Sequence, residues 1–447
     1  PVFAFLRGRL FSVNSGGKKR DICERCRVVD SPRPLAKMLA NVLRRHLHED
    51  ATMTEALKMF SPNRRGFLQL AGASIAAVGL SGPSTADQRQ RSGLIYHTRV
   101  PANAEPPLAK LVENWVTPNE LFYIRSHAPV PKIDTRQFRL KVGGMVQREL
   151  SLSLSELQEL SDTDVLATLT CAGNRRTEHS RVKQVSGVPW NEGAIGNARW
   201  GGVKLSTLLK QAGVRDGARH VWFEGLDEIA KGDDVIPFGG SIPIEKAMLD
   251  TQRTPGALVA LRMNGEPLPA DHGFPVRSVV PGYIGARSVK WLGRIVVSDN
   301  PSPNHYLQDA YKLIARKDDL LMAEAAPLYT YATNSAICLP AASATVNAGK
   351  LQVVGYALAN GAPGTRIARV EVSTDGGRTW TAASLQGEAM PYCWQLWQTE
   401  VPLTKETRQL TVRAVDSSGA RQPQRVDWNA KGYQYNAWHH VPVNVGG

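Results

Sequence analysis

Phe138-Arg-Leu-Lys-Val alternates apolar and charged residues, the two-residue period of a strand with one buried face, and Val221-Trp-Phe-Glu-Gly gives a second such run. Leu152–Leu160 and Leu205–Ala212 instead repeat leucine at a three-to-four residue spacing, which predicts amphipathic helices. Strands and helices interleave in this way from about Leu94 to Ser298, so that stretch predicts a mixed α/β domain. Asn300-Pro-Ser-Pro-Asn304 then reads as a linker. Beyond about Leu328 the pattern becomes short strands separated by turn signals: Leu351-Gln-Val-Val-Gly-Tyr, Ala368-Arg-Val-Glu-Val-Ser, an Asp375-Gly-Gly turn and Leu410-Thr-Val-Arg-Ala-Val. Regular spacing of that kind predicts a β-sandwich, and the chain as a whole is α+β.

The N-terminal pattern differs. Ser61-Pro-Asn-Arg64-Arg65-Gly-Phe-Leu68 opens an apolar run from Leu68 to Leu80, followed by the small residues Ser84 and Ala86 before Asp87. The run is too short and too glycine-broken to span a bilayer. Basic, apolar and small residues in that order predict a twin-arginine export signal over residues 53–86 and a periplasmic location for the folded protein. Met53 and Met59 stand just ahead of the two arginines, so residues 1–52 are expected to be an upstream, non-native extension rather than a domain. The expected mature parts are then 87–325, a catalytic domain, and 326–447, the sandwich.

Charge changes the picture only once it is located. The net charge is +14, but residues 1–52 hold eleven Lys/Arg against five Asp/Glu, and residues 53–86 hold three against one. Only six of the excess charges remain from Asp87 onward, a balance that suits an enzyme handling a small anion at least as well as a nucleic-acid binder. No nucleic-acid-binding motif occurs, and no nucleic-acid partner is expected. The five cysteines are too scattered for a disulfide framework. Cys23-Glu-Arg-Cys26 has zinc-knuckle or redox spacing but lacks a second Cys/His pair, and without Cys-x-x-Cys-His no c-type haem is expected on this chain.

Cys171 carries the first chemical signal. It follows a predicted strand in Leu169-Thr-Cys171-Ala-Gly-Asn-Arg175-Arg176, where glycine and asparagine favour an irregular loop that a ligand can approach. Two arginines beside the thiol attract anions, and thiolate is a soft ligand for a sulfur-coordinated metal. Taken alone, it could equally be a small buried cysteine beside a solvated loop. Phe122-Tyr-Ile-Arg125-Ser-His127, Asp271-His272-Gly-Phe-Pro-Val-Arg277 and Gly285-Ala-Arg287-Ser-Val-Lys290-Trp291 add further His, Arg and Lys on glycine-rich segments. Such segments suit an anionic, phosphate-bearing cofactor.

In this order along the chain, Cys-Ala-Gly-Asn-Arg-Arg, Glu-Gly-Leu-Asp, Asp-His-Gly-Phe-Pro-Val-Arg and Gly-Ala-Arg-x-Val-Lys-Trp-Leu resemble the sulfite oxidase family of molybdopterin oxidoreductases. The resemblance spans roughly residues 94–445, through Ser373-Thr-Asp-Gly-Gly-Arg-Thr-Trp380 and Asn436-Ala-Trp438-His439. It implies a mixed α/β molybdopterin-binding domain followed by an immunoglobulin-like domain that mediates homodimerisation. It implies pterin contacts at Tyr123, Ile124, Arg125, Ser126, His127, Asp227, His272, Arg277, Ser288, Val289 and Lys290. It further implies Cys171 as the molybdenum ligand and Arg125, Arg176 and Trp190 around an anion pocket. The implied activity is oxidation of sulfite to sulfate by oxygen-atom transfer, with electrons passing to a periplasmic cytochrome c. Nitrate, a sulfane or organic sulfur compound as substrate, and a non-catalytic relative, are the alternatives.

Three positions depart from the family pattern. Phe238 stands where a tyrosine usually precedes Gly-x-Ser-Ile-Pro, Ser186 where a lysine precedes the glycine at 187, and Gln395 where the C-terminal motif carries arginine. Each removes a polar or cationic group from the expected anion pocket. The resulting expectation is weak sulfite oxidation or a preference for a bulkier, less charged sulfur compound.

Overall fold

Leu205–Ala212 is the helix its spacing predicts: Leu205, Leu208, Leu209 and Ala212 are buried, and Gly213 ends it at φ 71°, a left-handed conformation that glycine adopts without a Cβ penalty. The run at Leu152–Leu160 resolves differently. Leu150–Ser153 is a strand and only Leu154–Glu159 is helical. The switch is local chemistry: the Ser153 hydroxyl accepts from the Glu156 N–H at 3.2 Å, while the Glu156 carboxylate accepts from the Ser153 N–H at 2.8 Å. That capping box starts the helix one residue after Ser153 and leaves Leu152 to the strand.

The computed structural model describes residues 93–446 apart from 252 and 253, together with the strands Val2–Leu6, Arg9–Val13 and Lys19–Asp21, which pair as an antiparallel sheet. The Cys23/Cys26 pair and the twin-arginine segment lie outside the described residues. The chain divides into two units, Pro1–Asp87 and Gln88–Gly447. Among the described residues no helix is long and apolar enough to cross a membrane.

Within the second unit two five-stranded sheets form most of the α/β part, beside a small sheet of Ile95–Thr98, Asn103–Glu105 and Ile124–Arg125 and the hairpin Ile229–Lys231/Asp234–Ile236. One runs Glu266–Pro267, Leu258–Met263, Ile195–Lys204, Thr163–Thr170, with Arg277–Val279 also paired to Leu258–Met263. The other runs Gly239–Pro243, His220–Gly225, Leu292–Ser298, Arg139–Gly144, Leu150–Ser153, and only its Leu292–Ser298/Arg139–Gly144 pair is parallel. Phe138, Leu140 and Val142 point into one core with Val221, Phe223, Leu208 and Leu292, as the alternation predicts.

From Asn334 onward two antiparallel sheets pack as a sandwich. One holds Asn334–Leu339, Gly349–Leu358, Gln395–Leu403 and Ser384–Gln386. The other holds His439–Gly446, Gln409–Asp416, Ile367–Ser373, Thr381–Ala382 and a parallel edge strand, Ala344–Asn347. Val353, Trp397, Val372 and Val412 fill the space between them. A separate apolar cluster joins the two architectures, with Ala172 and Tyr311 on one side and Tyr356 and Trp394 on the other. That junction is where the Cys171 loop sits.

Candidate active site

Cys171 begins where the strand Thr163–Thr170 ends. Its N–H donates to Ala194 O at 2.9 Å, and its Sγ accepts from the Gly173 N–H at 3.4 Å. The loop turns at Arg175, which has φ 66°. The sequence reading placed both following arginines beside the thiol, and here the structure corrects it. Arg175 turns away, fully buried, to pair with Glu178 at 2.6 Å and donate to Asn334 Oδ1 at 2.7 Å and Ala437 O at 2.9 Å. It fastens the loop to the sandwich. The sandwich also holds the loop through the Gln434 N–H, which donates to Ala172 O at 2.7 Å.

Arg176 stays with the thiol loop. A Cβ on Gly173 would lie 2.4 Å from its Nη2 and one on Gly187 would lie 2.9 Å from its Nη1, so both glycines make room for the guanidinium. Its Nη1 donates to Val188 O at 2.7 Å, and its buried Nε has no partner among the described residues. Trp190 packs in the same cluster as Cys171, edge-on to Tyr123 at 6.5 Å, and its indole N–H is also buried without a partner. Buried donors left open in this way cost free energy unless a ligand accepts from them.

A cavity of about 670 Å³ opens beside Cys171, lined by Tyr123, Arg125, Ser126, His127, Asp227, Phe238, His272, Arg277, Ser288, Lys290 and Tyr311, among others. Most of the sequence-predicted site residues therefore meet at one place. Ile124 and Val289 do not: their side chains are buried in separate apolar cores, and neither lines the cavity. Arg176 and Trp190 flank the Cys171 loop without lining this cavity. Ser186 is exposed. Gln395 does not reach the site: its amide donates to Gln386 O across the sandwich sheet, and it lines neither this cavity nor the one of about 380 Å³ on the sandwich side of Cys171.

Hydrogen bonds fix the lining groups. Lys290 Nζ donates to Ser126 Oγ at 2.7 Å and Asp271 O at 2.9 Å. Arg277 donates to His272 O at 2.9 Å and Ser288 O at 3.2 Å, with its guanidinium 4.9 Å from the Trp200 ring centroid. Burial, reinforced by Arg277, brings Lys290 down to about 7, and burial brings Arg277 down to about 10. Burial also raises the Asp227 carboxyl, which accepts from the Phe238 N–H at 3.1 Å. Arg125 donates to Asn103 Oδ1 at 3.2 Å and to His127 Nε2 at 2.7 Å. Burial, then Arg125 and Lys290, hold His127 well below its ordinary range, which keeps it neutral and able to accept.

This donor set fits a phosphate-bearing pterin with a sulfur-ligated metal. Arg125, Arg277 and Lys290 are basic groups held in or against a low-dielectric cavity whose carboxylates are Asp227 and Asp271, and a bound anion would offset the cost of burying them. Cys171 offers the soft donor at the same cavity.

Sequence reasoning did not single out Tyr306, Tyr311 or Tyr433. His127 stacks on Phe238 at 4.6 Å and meets Tyr306 at 4.5 Å, and the Tyr311 hydroxyl lies 3.2 Å from His127 Nε2. Tyr311 stacks on Tyr433 at 5.2 Å and 14°, and Tyr433 lies under Arg176 at 5.3 Å. No local spacing marks these tyrosines, because the 306–311 segment and the loop at Tyr433 meet His127 and Arg176 from distant parts of the chain.

Comparison with known proteins agrees with this geometry. Residues 127–306 match the family described as oxidoreductase molybdopterin binding domain, and residues 325–446 match the Mo-co oxidoreductase dimerisation domain. Sulfite oxidase of Gallus gallus is 44% identical over 380 residues, covering 81% of this chain and 81% of that protein. Sulfite oxidase of Arabidopsis thaliana is 37% identical, covering 82% of this chain and 98% of the relative. Among solved structures, the sulfane dehydrogenase SoxCD from Paracoccus pantotrophus superposes with a TM-score of 0.66 at 26% identity, over 88% of this chain and 99% of that one.

Proposed function

Because this chain belongs to the sulfite oxidase family of molybdopterin-dependent oxidoreductases, we propose that it oxidises sulfite to sulfate and passes the electrons singly to an external cytochrome c. The observation that carries the reading is the convergence of Cys171 with two guanidiniums. Arg125 lines the Cys171 cavity, and Arg176 flanks the Cys171 loop with a buried Nε that has no acceptor among the described residues.

In this reading Cys171 holds the metal as thiolate, while Arg277, His272, Lys290, Ser126 and Ser288 bind the pterin and its phosphate. Molybdenum, when bound, supplies oxygen-atom transfer and takes up two electrons. The protein's own work is to position and neutralise. Arg125 and Arg176 place a small dianion at the thiol end of the cavity and offset its charge, which matters most where water is excluded. Neutral His127 accepts from Arg125 and so aims that guanidinium without adding a charge. Trp190 offers an indole donor beside the thiol.

The surrounding biology follows the same proposal. Residues 87–325 form the catalytic domain and 326–447 the immunoglobulin-like one, through which two copies pair. The twin arginines send the folded enzyme to the periplasm, with residues 1–86 absent from the mature chain.

A second reading keeps the chemistry and changes the substrate to a bulkier, less charged sulfur compound. It is favoured by Phe238, whose ring faces His127 and Tyr306 with no hydrogen bond to offer, and by Gln395, which turns away. Metal analysis with sulfite-dependent dye reduction tests the first reading, run beside thiosulfate, sulfinates and reverse assays with nitrate. A molybdenum-loaded enzyme that turns over another donor but leaves sulfite untouched would replace it.

A further inference from the structure

We infer that Tyr433, contributed by the sandwich domain, belongs to the substrate pocket and donates a hydrogen bond from its hydroxyl to an oxygen of the bound oxyanion. This rests on the oxyanion reading above.

The loop that carries Tyr433 is pinned onto the site. The Ala430 N–H donates to Ile314 O at 2.9 Å, the Tyr433 N–H to Asn429 Oδ1 at 3.0 Å and the Gln434 N–H to Ala172 O, next to Cys171, at 2.7 Å. Gly432 has φ 60°, and a Cβ there would lie 2.8 Å from Arg176 Cγ, so only glycine brings the loop this close to the arginine. Tyr433 is then clamped between two partners: Arg176, 5.3 Å over its ring, and the cavity-lining Tyr311, stacked at 5.2 Å.

The hydroxyl is what makes this more than packing. The hydrogen bonds that Tyr433 makes among the described residues all run through its backbone, which leaves the hydroxyl proton without an acceptor there. The charged groups that act on it are Arg176, Cys171 and Arg125, the three that surround the proposed position of metal and substrate. Burial raises the phenol above its ordinary range, so it remains a donor at neutral pH. Of the aromatic side chains nearby, Tyr311 has its hydroxyl 3.2 Å from His127 Nε2, and Phe238 has no hydroxyl. A sulfur oxyanion, with three or four acceptor oxygens, needs donors of fixed direction as well as charge.

Tyr433→Phe keeps the stack and the Arg176 contact and removes only the O–H. In the molybdenum-loaded enzyme, sulfate affinity measured by calorimetry should fall, and sulfite KM should rise, by about ten- to a hundred-fold, with a smaller change in kcat. Metal content and melting temperature should stay at wild-type values. Tyr433→Val, which also frees Arg176, should weaken sulfate further. Wild-type sulfate affinity in Tyr433→Phe overturns the inference, as does a loss confined to Tyr433→Val, which would make Tyr433 a packing residue. A wild type that fails to bind sulfate overturns it as well. Sulfate binding decides the role of Tyr433, and sulfite turnover by the wild type decides the substrate reading, so the two failures are distinguishable.

Discussion

Arg175 and Glu178 form an ion pair at 2.6 Å with both side chains almost completely buried, one turn beyond Cys171. The pair explains why the second of two adjacent arginines, and not the first, remains beside the thiol. Removing one partner strands a buried charge, and Glu178→Ala should cost about 3–5 kcal/mol of stability. Urea unfolding measures this, and a loss below about 1 kcal/mol would show that water reaches the pair.

Cys171→Ser exchanges a soft, readily ionised donor for a hard hydroxyl. Sulfite turnover should collapse while the melting temperature stays close to wild type, since the side chain fills the same space. A purified serine variant with wild-type turnover would remove Cys171 from the metal.

Phe238→Tyr adds a phenol to the cavity wall. Sulfite kcat/KM should rise modestly in the wild-type background and by about tenfold in Tyr433→Phe, where the Tyr433 hydroxyl is gone. Equal changes in the two backgrounds would show that the two positions act independently.

The cofactor site carries a pH signature. With Lys290 held at about 7 by burial and Arg277, the cofactor-free protein loses that positive charge as pH rises through 7. Binding a phosphate-bearing cofactor then requires proton uptake. Affinity should be level below this pH and fall about tenfold per unit above it. Reconstitution of cofactor-free protein across pH tests the slope, and Lys290→Met should flatten it. A wild-type profile already flat through 7 counts against Lys290 as a phosphate contact.

For export, replacing Arg64 and Arg65 by lysine should leave the protein in the cytoplasm, whereas the wild type recovered from the periplasm should begin near Asp87. N-terminal sequencing of each fraction decides it.

Local physics determined much of this protein from sequence alone. The two-residue alternation of Phe138–Val142 and the leucine spacing of Leu205–Ala212 are properties of a segment and its own backbone, and both elements form as read. The same holds for the strand-then-loop placement of Cys171 and for the His, Arg and Lys segments that gather at the cavity. Ser153 shows how narrow a local error can be: its cap moves a helix start by two residues without changing the face that is buried. Other facts depend on partners distant in the chain, and no local pattern encodes them. Arg175 and Arg176 are neighbours with equal charge, and only Glu178 and Asn334 on one side and Val188 and Tyr433 on the other separate their tasks. Gln395 could not be assigned a direction until the Ser384–Gln386 strand paired beside it. Tyr433 is more than two hundred residues from Cys171, and it reaches the site only because the sandwich folds back onto the thiol loop and buries its polar groups with it.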